Sequence, residues 1–450
     1  MYFITGIISF LYLFYIYLLL KKYLIKDRDI INPGLLFPLI IIIYYQFRLV
    51  VIQLASVLKI EDIKSEELNP LVYQDKYILL ISFFIFFSLC IFSIFSLTFS
   101  KIKIPKIKFK NIKSGFYLSF IIFLISFGVR IIKVNLGYQS YGGESIDEEA
   151  QSVLNYLLTS IGIFFSLSYL HIIICFLIQK DNNYLKSLIF ISTIIISFYY
   201  NFFLGGGIDG YILLITPFII VFHYYYFKKL INISINQLFL FFSFLIIFLI
   251  CSFLMKEFSR NILMSNVLQT DRTLLEIVKY SFLSLVNRFH GTDSMLTIIY
   301  KHDYLGFFKN FSTYKLILIG LIPRFLWSEK SEITLGPYFT NYYWFDGSVD
   351  NNFQTTAFLL PGEFYMNFGF IGVIFGFMFM GIFLSIIYKS MHNNLNIFNL
   401  VFLGFLIPNL IRHEYSFASY VLGMIKISLI FYLFYILHRF SIYFFYQSLK

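Results

Sequence analysis

One long polar segment interrupts an otherwise apolar chain and contains four arginines. The segment runs from about residue 256 to residue 361. Its arginines are Arg260, Arg272, Arg288 and Arg324, and His290 follows Arg288 by two residues. Arginine binds phosphate and carboxylate oxygens through paired N–H donors and keeps its charge at physiological pH. The segment therefore predicts a binding site for an anionic ligand.

The first half of this segment has the periodicity of a helix. An apolar stripe recurs at helical spacing at Leu275, Val278, Phe282, Leu285 and Phe289, which predicts a helix from about Asp271 to His290. Gly291 suits the residue after a helix end, and Thr292 or Asp293 can cap a second short helix through Tyr300. Arg288, His290 and Asp293 then surround a helix-helix corner. A surface helix with solvated side chains is the alternative interpretation.

The second half of the segment is typical of a membrane interface. The apolar run 315–322 is too short to cross a bilayer and ends at Pro323. Arg324 and Trp327 follow it, which places a guanidinium beside an indole at headgroup depth. Tyr343 and Trp344 lie near acidic residues, an arrangement that can bind a sugar through ring stacking and hydrogen bonds. An interfacial aromatic belt uses the same residue types, so both interpretations stand.

The composition identifies the class of protein that must position these side chains. Hydrophobic residues make up 59% of the chain and charged residues 13%, and the mean hydropathy is +0.78. A spanning helix needs about 20 apolar residues, and such runs recur about eleven times. We therefore predict an all-α, polytopic helical membrane protein with about eleven transmembrane helices and one large extracytoplasmic loop that contains short helices. The predicted parts are a helix bundle over 1–255, the loop over 256–361 and C-terminal spans over 362–450.

The distribution of lysine predicts the orientation. The connection 101–113 carries six lysines and no acid, whereas the neighbouring connections 61–75 and 144–149 are acidic. Cationic loops remain in the cytoplasm, so the long segment is predicted on the extracytoplasmic side. The formal net charge of +11 is then a topology signal, and we expect no nucleic-acid partner.

Further cations fall at the predicted outer ends of spans. They are Arg48, Arg130, Arg412 and Lys426. A charge within lipid costs about 2.5–3.5 kcal/mol on insertion scales. Together with the arginines of the long segment they indicate an outward-facing cationic cavity, although snorkelling accounts for Arg48 and Arg130 singly.

Several kinds of chemistry have no motif in this chain. Gly205 to Gly210 lacks the strand-helix context of a phosphate-binding loop, no histidine pair has metal-ligand spacing, and no nucleophile elbow is present. We expect no metal and no cofactor. Cys90, Cys175 and Cys251 all lie in apolar runs, where we expect small core residues and no disulfides.

Two segments of the chain resemble a known family. The stretch Ile322–Lys330, with Arg324 and Trp327, and the stretch Pro361–Gly372, with Glu363, resemble the Wzy-type oligosaccharide repeat-unit polymerases. In that family such segments end the large periplasmic loop and open the next span. The resemblance implies polymerisation of undecaprenyl-diphosphate-linked repeat units of O-antigen or capsule at the periplasmic face of a bacterial inner membrane. Membrane lipid and a chain-length regulator protein are the further expected partners.

The resemblance also implies roles for particular side chains. A sugar diphosphate is already a good leaving group, so the enzyme needs cations for the developing charge and one base for the attacking hydroxyl. Arg288 and Arg324 are the expected diphosphate ligands, helped by Arg260 or Arg412. The expected base is His290, with Glu363 and Asp293 as alternatives, and the expected sugar contacts are Trp327, Tyr343 and Trp344.

Two other functions fit the same features. An O-antigen ligase would share the bundle, the outer loop and the cationic site, and would differ in its acceptor. A flippase for lipid-linked oligosaccharides would also have about a dozen spans, but we expect short loops and charges near the midplane in a transporter. The crowding of polar residues towards one face favours chemistry over transport.

Overall fold

The structure is a computed structural model that describes most of the predicted spans and parts of the long polar segment. The described residues are 2–57, 75–105, 109, 115–136, 153–179, 183–201, 208–231, 291–305, 313–322, 359–392, 395–411 and 416–447, with the single positions 237, 240, 243, 247, 251, 327, 335 and 339. All regular structure among these residues is helical. The predicted all-α class is thus confirmed for the described part of the chain.

Twelve α-helices are described, and the first continues into a π-helical turn at Leu20–Lys26. They are α1 Tyr2–Leu19, α2 Pro33–Val57, α3 Asp75–Phe99, α4 Gly115–Asn135, α5 Val153–Gln179, α6 Tyr184–Tyr199, α7 Ile208–Phe227, α8 Gly291–Leu305, α9 Lys315–Gly320, α10 Leu359–His392, α11 Ile397–Ile411 and α12 Phe417–Gln447.

Six of these helices are long and apolar enough to cross a membrane, and four shorter apolar helices accompany them. Large apolar side chains point outwards along the bundle, for example Ile94, Ile195 and Leu429, each about three-fifths exposed. Water would penalise such a surface, whereas lipid chains cover it without cost. The chain is therefore a helical membrane protein. The number of about eleven spans and the domain boundaries remain predictions.

Helix α5 is the central helix of the bundle. Two-thirds of its spanning window is buried, a larger share than in any other described candidate span, and it packs against α4, α6, α7, α11 and α12. Its His171 Nδ1 lies 2.8 Å from the Ser119 hydroxyl of α4, which also lies 2.8 Å from His438 Nε2 of α12. This hydroxyl satisfies both rings and fastens three helices to each other in an apolar interior.

The cysteines are distributed differently from the prediction. Cys175 is buried in α5 and Cys90 is partly buried in α3, but Cys251 is exposed. The expected core position of Cys251 is wrong. An apolar run cannot distinguish a side chain that faces the core from one that faces lipid, because both surroundings are apolar.

Part of the long polar segment enters the bundle as α8. The predicted second helix is present and extends to Leu305, but Gly291, Thr292 and Asp293 lie within it, so the expected helix end at Gly291 and the expected cap at Thr292 or Asp293 are wrong. Residues 291–298 are all buried, and α8 packs against α2, α3 and α10. The Thr292 hydroxyl donates to the Tyr45 carbonyl at 2.7 Å, and Ile298 packs beside Met366. This helix therefore belongs to the packed interior of the bundle.

Helix α10 bends sharply near its start. Gly369 has φ +62° and ψ −152°, a conformation that is essentially restricted to glycine. A Cβ added to Gly376 would lie 2.1 Å from the Phe364 ring, and one added to Gly372 would lie 2.2 Å from the Phe364 carbonyl oxygen. The first turns of α10 thus fold back onto the rest of the helix, and glycines make room for them.

Replacement of Gly369 tests this bend. We expect Gly369→Ala to destabilise the protein by about 1–3 kcal/mol, because alanine strains the backbone at this φ and ψ. Thermal unfolding of the detergent-solubilised protein measures the effect. Gly128→Ala in α4 is the matched control, since an added Cβ there meets no atom within 4 Å. An equal change in melting temperature for the two variants would contradict the strain argument.

Candidate functional site

The Glu363 carboxylate lies where the bent start of α10 meets the first residue of α12. Its side chain is fully buried, and Oε2 accepts a hydrogen bond from the backbone N–H of Phe417. The first N–H groups of a helix have no partner within the helix and carry a partial positive charge. A carboxylate placed there satisfies one of these donors and is stabilised by the helix dipole.

Two neighbours hold this carboxylate in place. The Thr313 hydroxyl hydrogen bonds to the Glu363 carboxylate. Asn367 donates its side-chain amide to the Thr313 hydroxyl at 2.8 Å and to the Glu363 carbonyl at 3.0 Å. Thr313 is fully buried and belongs to the long polar segment. The network therefore ties that segment to α10 and α12 at one point.

The second carboxylate oxygen of Glu363 is also buried and has no hydrogen-bond partner among the described residues. Carboxylate oxygens in protein interiors nearly always have a donor. A hydroxyl that reached this oxygen could donate a hydrogen bond or a proton to it. Of the described residues, Glu363 thus offers the clearest site for proton transfer.

Aromatic rings surround the helix end that Glu363 contacts. The Phe417 ring lies 5.3 Å from that of Tyr314, 5.9 Å from that of Phe364 and 5.8 Å from that of Phe379, measured between centroids. Two of these pairs are edge-to-face and the pair with Phe364 is tilted, so the helix end lies in apolar surroundings where Glu363 is 0% exposed. Hydrogen bonds and charges act more strongly in such surroundings than in solvent.

Asp293 is the second buried carboxylate among the predicted site residues. It lies in the first turn of α8 and is 4% exposed. Its carbonyl accepts the Thr297 hydroxyl at 2.9 Å. A carboxylate in the first helical turn is favoured by the helix dipole. Because α8 packs against α10, the structure brings the helices of Asp293 and Glu363 together.

Most other predicted site residues lie outside the described residues. They are His290, Arg260, Arg288, Arg324, Arg412, Tyr343 and Trp344. Trp327 is described, and its side chain is 41% exposed. Their predicted roles therefore remain predictions. Chain order places His290 directly before Gly291 of α8 and Arg412 four residues before Ser416, which precedes the Phe417 that Glu363 contacts.

Arg130 contributes to packing between helices. Its Nε donates to the Gly162 carbonyl at 2.9 Å, and its Nη2 donates to the Ser166 hydroxyl at 3.2 Å. The guanidinium carbon lies 4.5 Å from the Phe165 ring centroid and 4.8 Å from that of Tyr200. These contacts favour a structural role between α4 and α5 over the cationic cavity that the sequence indicated. The side chain of Arg48 lies outside the described residues.

A group of metal-ligating side chains occurs elsewhere in the bundle. Asp29, His223 and His392 each present one ligand atom within 4.8 Å of the others. Asp29 follows the π-helical turn of α1, His223 lies on α7 and His392 ends α10. Sequence spacing gave no sign of this group because its members are far apart in the chain. The expected absence of a metal site is thus open to test at these residues.

Comparison with known proteins identifies no relative. The chain matches no protein-family model, no curated protein and no solved structure. Its function must therefore be inferred from its own side chains and their geometry.

Two substitutions at Glu363 separate its hydrogen bond from its charge. We expect Glu363→Ala to destabilise the protein by about 1–3 kcal/mol, because the Phe417 N–H loses its buried acceptor. Glu363→Gln keeps a carbonyl oxygen for that N–H, so its melting temperature should stay closer to that of the wild type. Thermal unfolding in detergent compares the two. Equal decreases in melting temperature for the two variants would mean that the negative charge of Glu363 stabilises the helix end, and that a neutral acceptor for the Phe417 N–H does not.

Proposed function

We propose that this protein is a polymerase that joins undecaprenyl-diphosphate-linked oligosaccharide repeat units in a bacterial inner membrane. The repeat units would belong to O-antigen or capsular polysaccharide. The proposal includes about eleven spans and a periplasmic position for the segment 256–361. A lipid-linked substrate suits a chain whose chemistry-bearing residues lie beside membrane spans, because such a substrate arrives through the bilayer.

The buried Glu363 carboxylate at the junction of α10, α12 and the long polar segment carries the proposal. In the proposed reaction, a sugar hydroxyl of one repeat unit attacks the anomeric carbon of another. The bond from that carbon to the diphosphate oxygen breaks, and the lipid diphosphate leaves with the electron pair. The hydroxyl proton passes to a base. Glu363 is supported for this step by its oxygen without a described partner and by its aromatic surroundings.

His290 and Asp293 remain the other candidate bases. Histidine is the side chain most often used for proton transfer at physiological pH, and His290 directly precedes the buried start of α8. Asp293 is buried in the first turn of that helix. A base and a second acid from α8 and α10 could act on opposite sides of one substrate.

The arginines would stabilise the charge that develops on the leaving diphosphate. Arg288 and Arg324 are the main candidates, with Arg260 or Arg412 assisting. The planar guanidinium binds two phosphate oxygens at once and carries a permanent charge. This role needs no metal ion. Trp327, Tyr343 and Trp344 would stack on sugar rings, and Trp327 is 41% exposed.

An O-antigen ligase is the second candidate function. It would use the same charges and the same base, but its acceptor would be lipid A-core in place of another repeat unit. A flippase is a weaker alternative, because a buried carboxylate held by a helix end and an arginine-rich segment suit group transfer.

Deletion of the gene and complementation with point variants test these functions. We expect the deletion strain to display single capping units without polymer, and the wild-type gene to restore the ladder. Glu363→Gln should be expressed and inserted but should form no polymer, because an amide cannot accept the proton. His290→Gln and Asp293→Asn, assayed in parallel, identify the base among the three. Free polymer in the deletion strain would indicate a ligase, and intracellular accumulation of lipid-linked repeat units would indicate a flippase. Normal ladders from all three point variants would refute catalysis by Glu363, His290 or Asp293.

Substitution of the arginines tests the anion site. We expect Arg288→Ala and Arg324→Ala to reduce polymer at least about hundred-fold, since a lost charge-stabilising donor costs about 2.7–4 kcal/mol of barrier. Lysine at either position should rescue poorly, because it lacks the paired donors of arginine. Arg439→Ala is the matched control, an exposed arginine near the far end of α12. Immunoblotted protein levels and glycan ladders give the readout, and normal ladders from both alanine variants would contradict the assignment.

A further inference from the structure

Three side chains converge at the end of the bundle opposite Glu363. The Asp29 Oδ1 atom lies 3.8 Å from His392 Nε2 and 3.9 Å from His223 Nδ1, and the two histidine Nε2 atoms are 3.2 Å apart. His223 is fully buried and Asp29 is 5% exposed. The helix from 370 to 392 separates this cluster from the bend beside Glu363 by about 33 Å at 1.5 Å per residue. The two sites are therefore independent.

The spacing of the ligand atoms suits a tetrahedral metal ion. Zinc binds imidazole nitrogen and carboxylate oxygen at about 2.0–2.2 Å, so neighbouring ligands of a tetrahedral site are about 3.4 Å apart. His392 Nε2 lies 3.2 Å from His223 Nε2 and 3.8 Å from Asp29 Oδ1, and one ligand atom of each residue lies within 4.8 Å of the others. A zinc ion held by three protein ligands takes a water molecule as its fourth ligand, and the 11% exposure of the His392 side chain leaves room for one.

Hydrogen bonding alone leaves this cluster incompletely satisfied. Two neutral imidazoles that face each other through Nε2 can form one hydrogen bond, with one ring as donor and the other as acceptor. His223 Nδ1 is then either a bare acceptor or an unused donor, and it is buried without a hydrogen-bond partner among the described residues. Buried polar atoms of this kind are rare in native interiors. A cation bound by the two Nε2 atoms and Asp29 Oδ1 would use one lone pair of each ring, and His223 Nδ1 would then carry its hydrogen 3.9 Å from Asp29 Oδ1.

Neighbouring side chains orient the three ligands. The Tyr388 hydroxyl donates to Asp29 Oδ1, and the Asn32 amide donates to Asp29 Oδ2 at 2.8 Å. Burial raises the pKa of the Asp29 carboxyl, while the His392 imidazole and these two hydrogen bonds oppose that shift. The Tyr388 ring stacks on His392 with centroids 4.8 Å apart. Second neighbours that fix a carboxylate and a ring in this way are typical of metal sites.

We propose that Asp29, His223 and His392 bind a Zn²⁺ ion that fastens together the turn after α1, helix α7 and the end of α10. Two imidazoles and one carboxylate match zinc, whereas Mg²⁺ and Ca²⁺ take oxygen ligands. The ion would join three elements that are far apart in the sequence, at Asp29, His223 and His392. It would therefore stabilise the bundle without taking part in the chemistry near Glu363.

Metal binding by the full-length protein in detergent tests this site. After chelator treatment and desalting, wild-type protein should take up about one Zn²⁺ per chain, and Co²⁺ should produce the visible absorption of tetrahedral coordination. His392→Gln and Asp29→Asn should lose this binding. Tyr388→Phe keeps all three ligands and should weaken affinity about 10–100-fold. His438→Gln is the control, because its pair with His171 is bridged by a serine hydroxyl and not by a carboxylate.

Thermal unfolding gives a second readout that does not depend on isolating every variant in quantity. Zn²⁺ should raise the melting temperature of the wild type and of His438→Gln, because an ion that binds only the folded state stabilises it. It should leave His392→Gln unchanged, and His392 lies at a helix end where glutamine is readily accommodated. Absence of stoichiometric binding by the wild type, or an undiminished Zn²⁺ effect in His392→Gln, would overturn the proposal. Neither result depends on polymer formation.

Discussion

The hydrogen bond from the Phe417 backbone to the Glu363 carboxylate joins the parts of the chain on which the proposed site depends. It closes the start of α12, which would otherwise leave a helix N–H unpaired in apolar surroundings. Through Thr313 and Asn367 the same carboxylate also holds a piece of the long polar segment. One buried charge thus serves packing and, in the proposed reaction, proton transfer. The Phe417 N–H contacts Oε2, and Oε1 is the oxygen that has no hydrogen-bond partner among the described residues.

Two glycines of α10 allow Glu363 to reach the start of α12. The bend at Gly369 turns the first residues of α10 back on the helix, and Gly376 leaves space for the Phe364 ring. A straight helix would carry Glu363 along the axis of α10, away from its own later turns. The break itself is partly exposed, since Phe368 is 36% exposed and a Cβ added to Gly369 would meet no atom within 4 Å. Functional sites of membrane proteins often use such interruptions, where irregular backbone and buried polar groups coincide.

Three groups of buried polar side chains join helices of this bundle. The Glu363 network lies at one end, and Asp29, His223 and His392 lie at the other. In a third group, Ser119 of α4 bridges His171 of the central helix α5 and His438 of α12. Each group joins helices that are distant in the chain. In a lipid environment, where apolar burial hardly distinguishes one helix pairing from another, polar contacts of this kind favour one arrangement.

Composition and periodicity were sufficient to predict a helical membrane protein, because apolar runs of span length have few other stable structures. Periodicity placed Asp293 at a helix-helix corner and predicted a short helix there, and the family resemblance supplied Glu363 as a candidate base. Composition and periodicity could not predict that Arg130 would be used in packing, that Cys251 would face outwards, or that Asp29 would meet two histidines. Those outcomes depend on helix rotation and on which helices are neighbours. In an apolar chain these are decided by tertiary contacts, since lipid and protein interior select the same residue types.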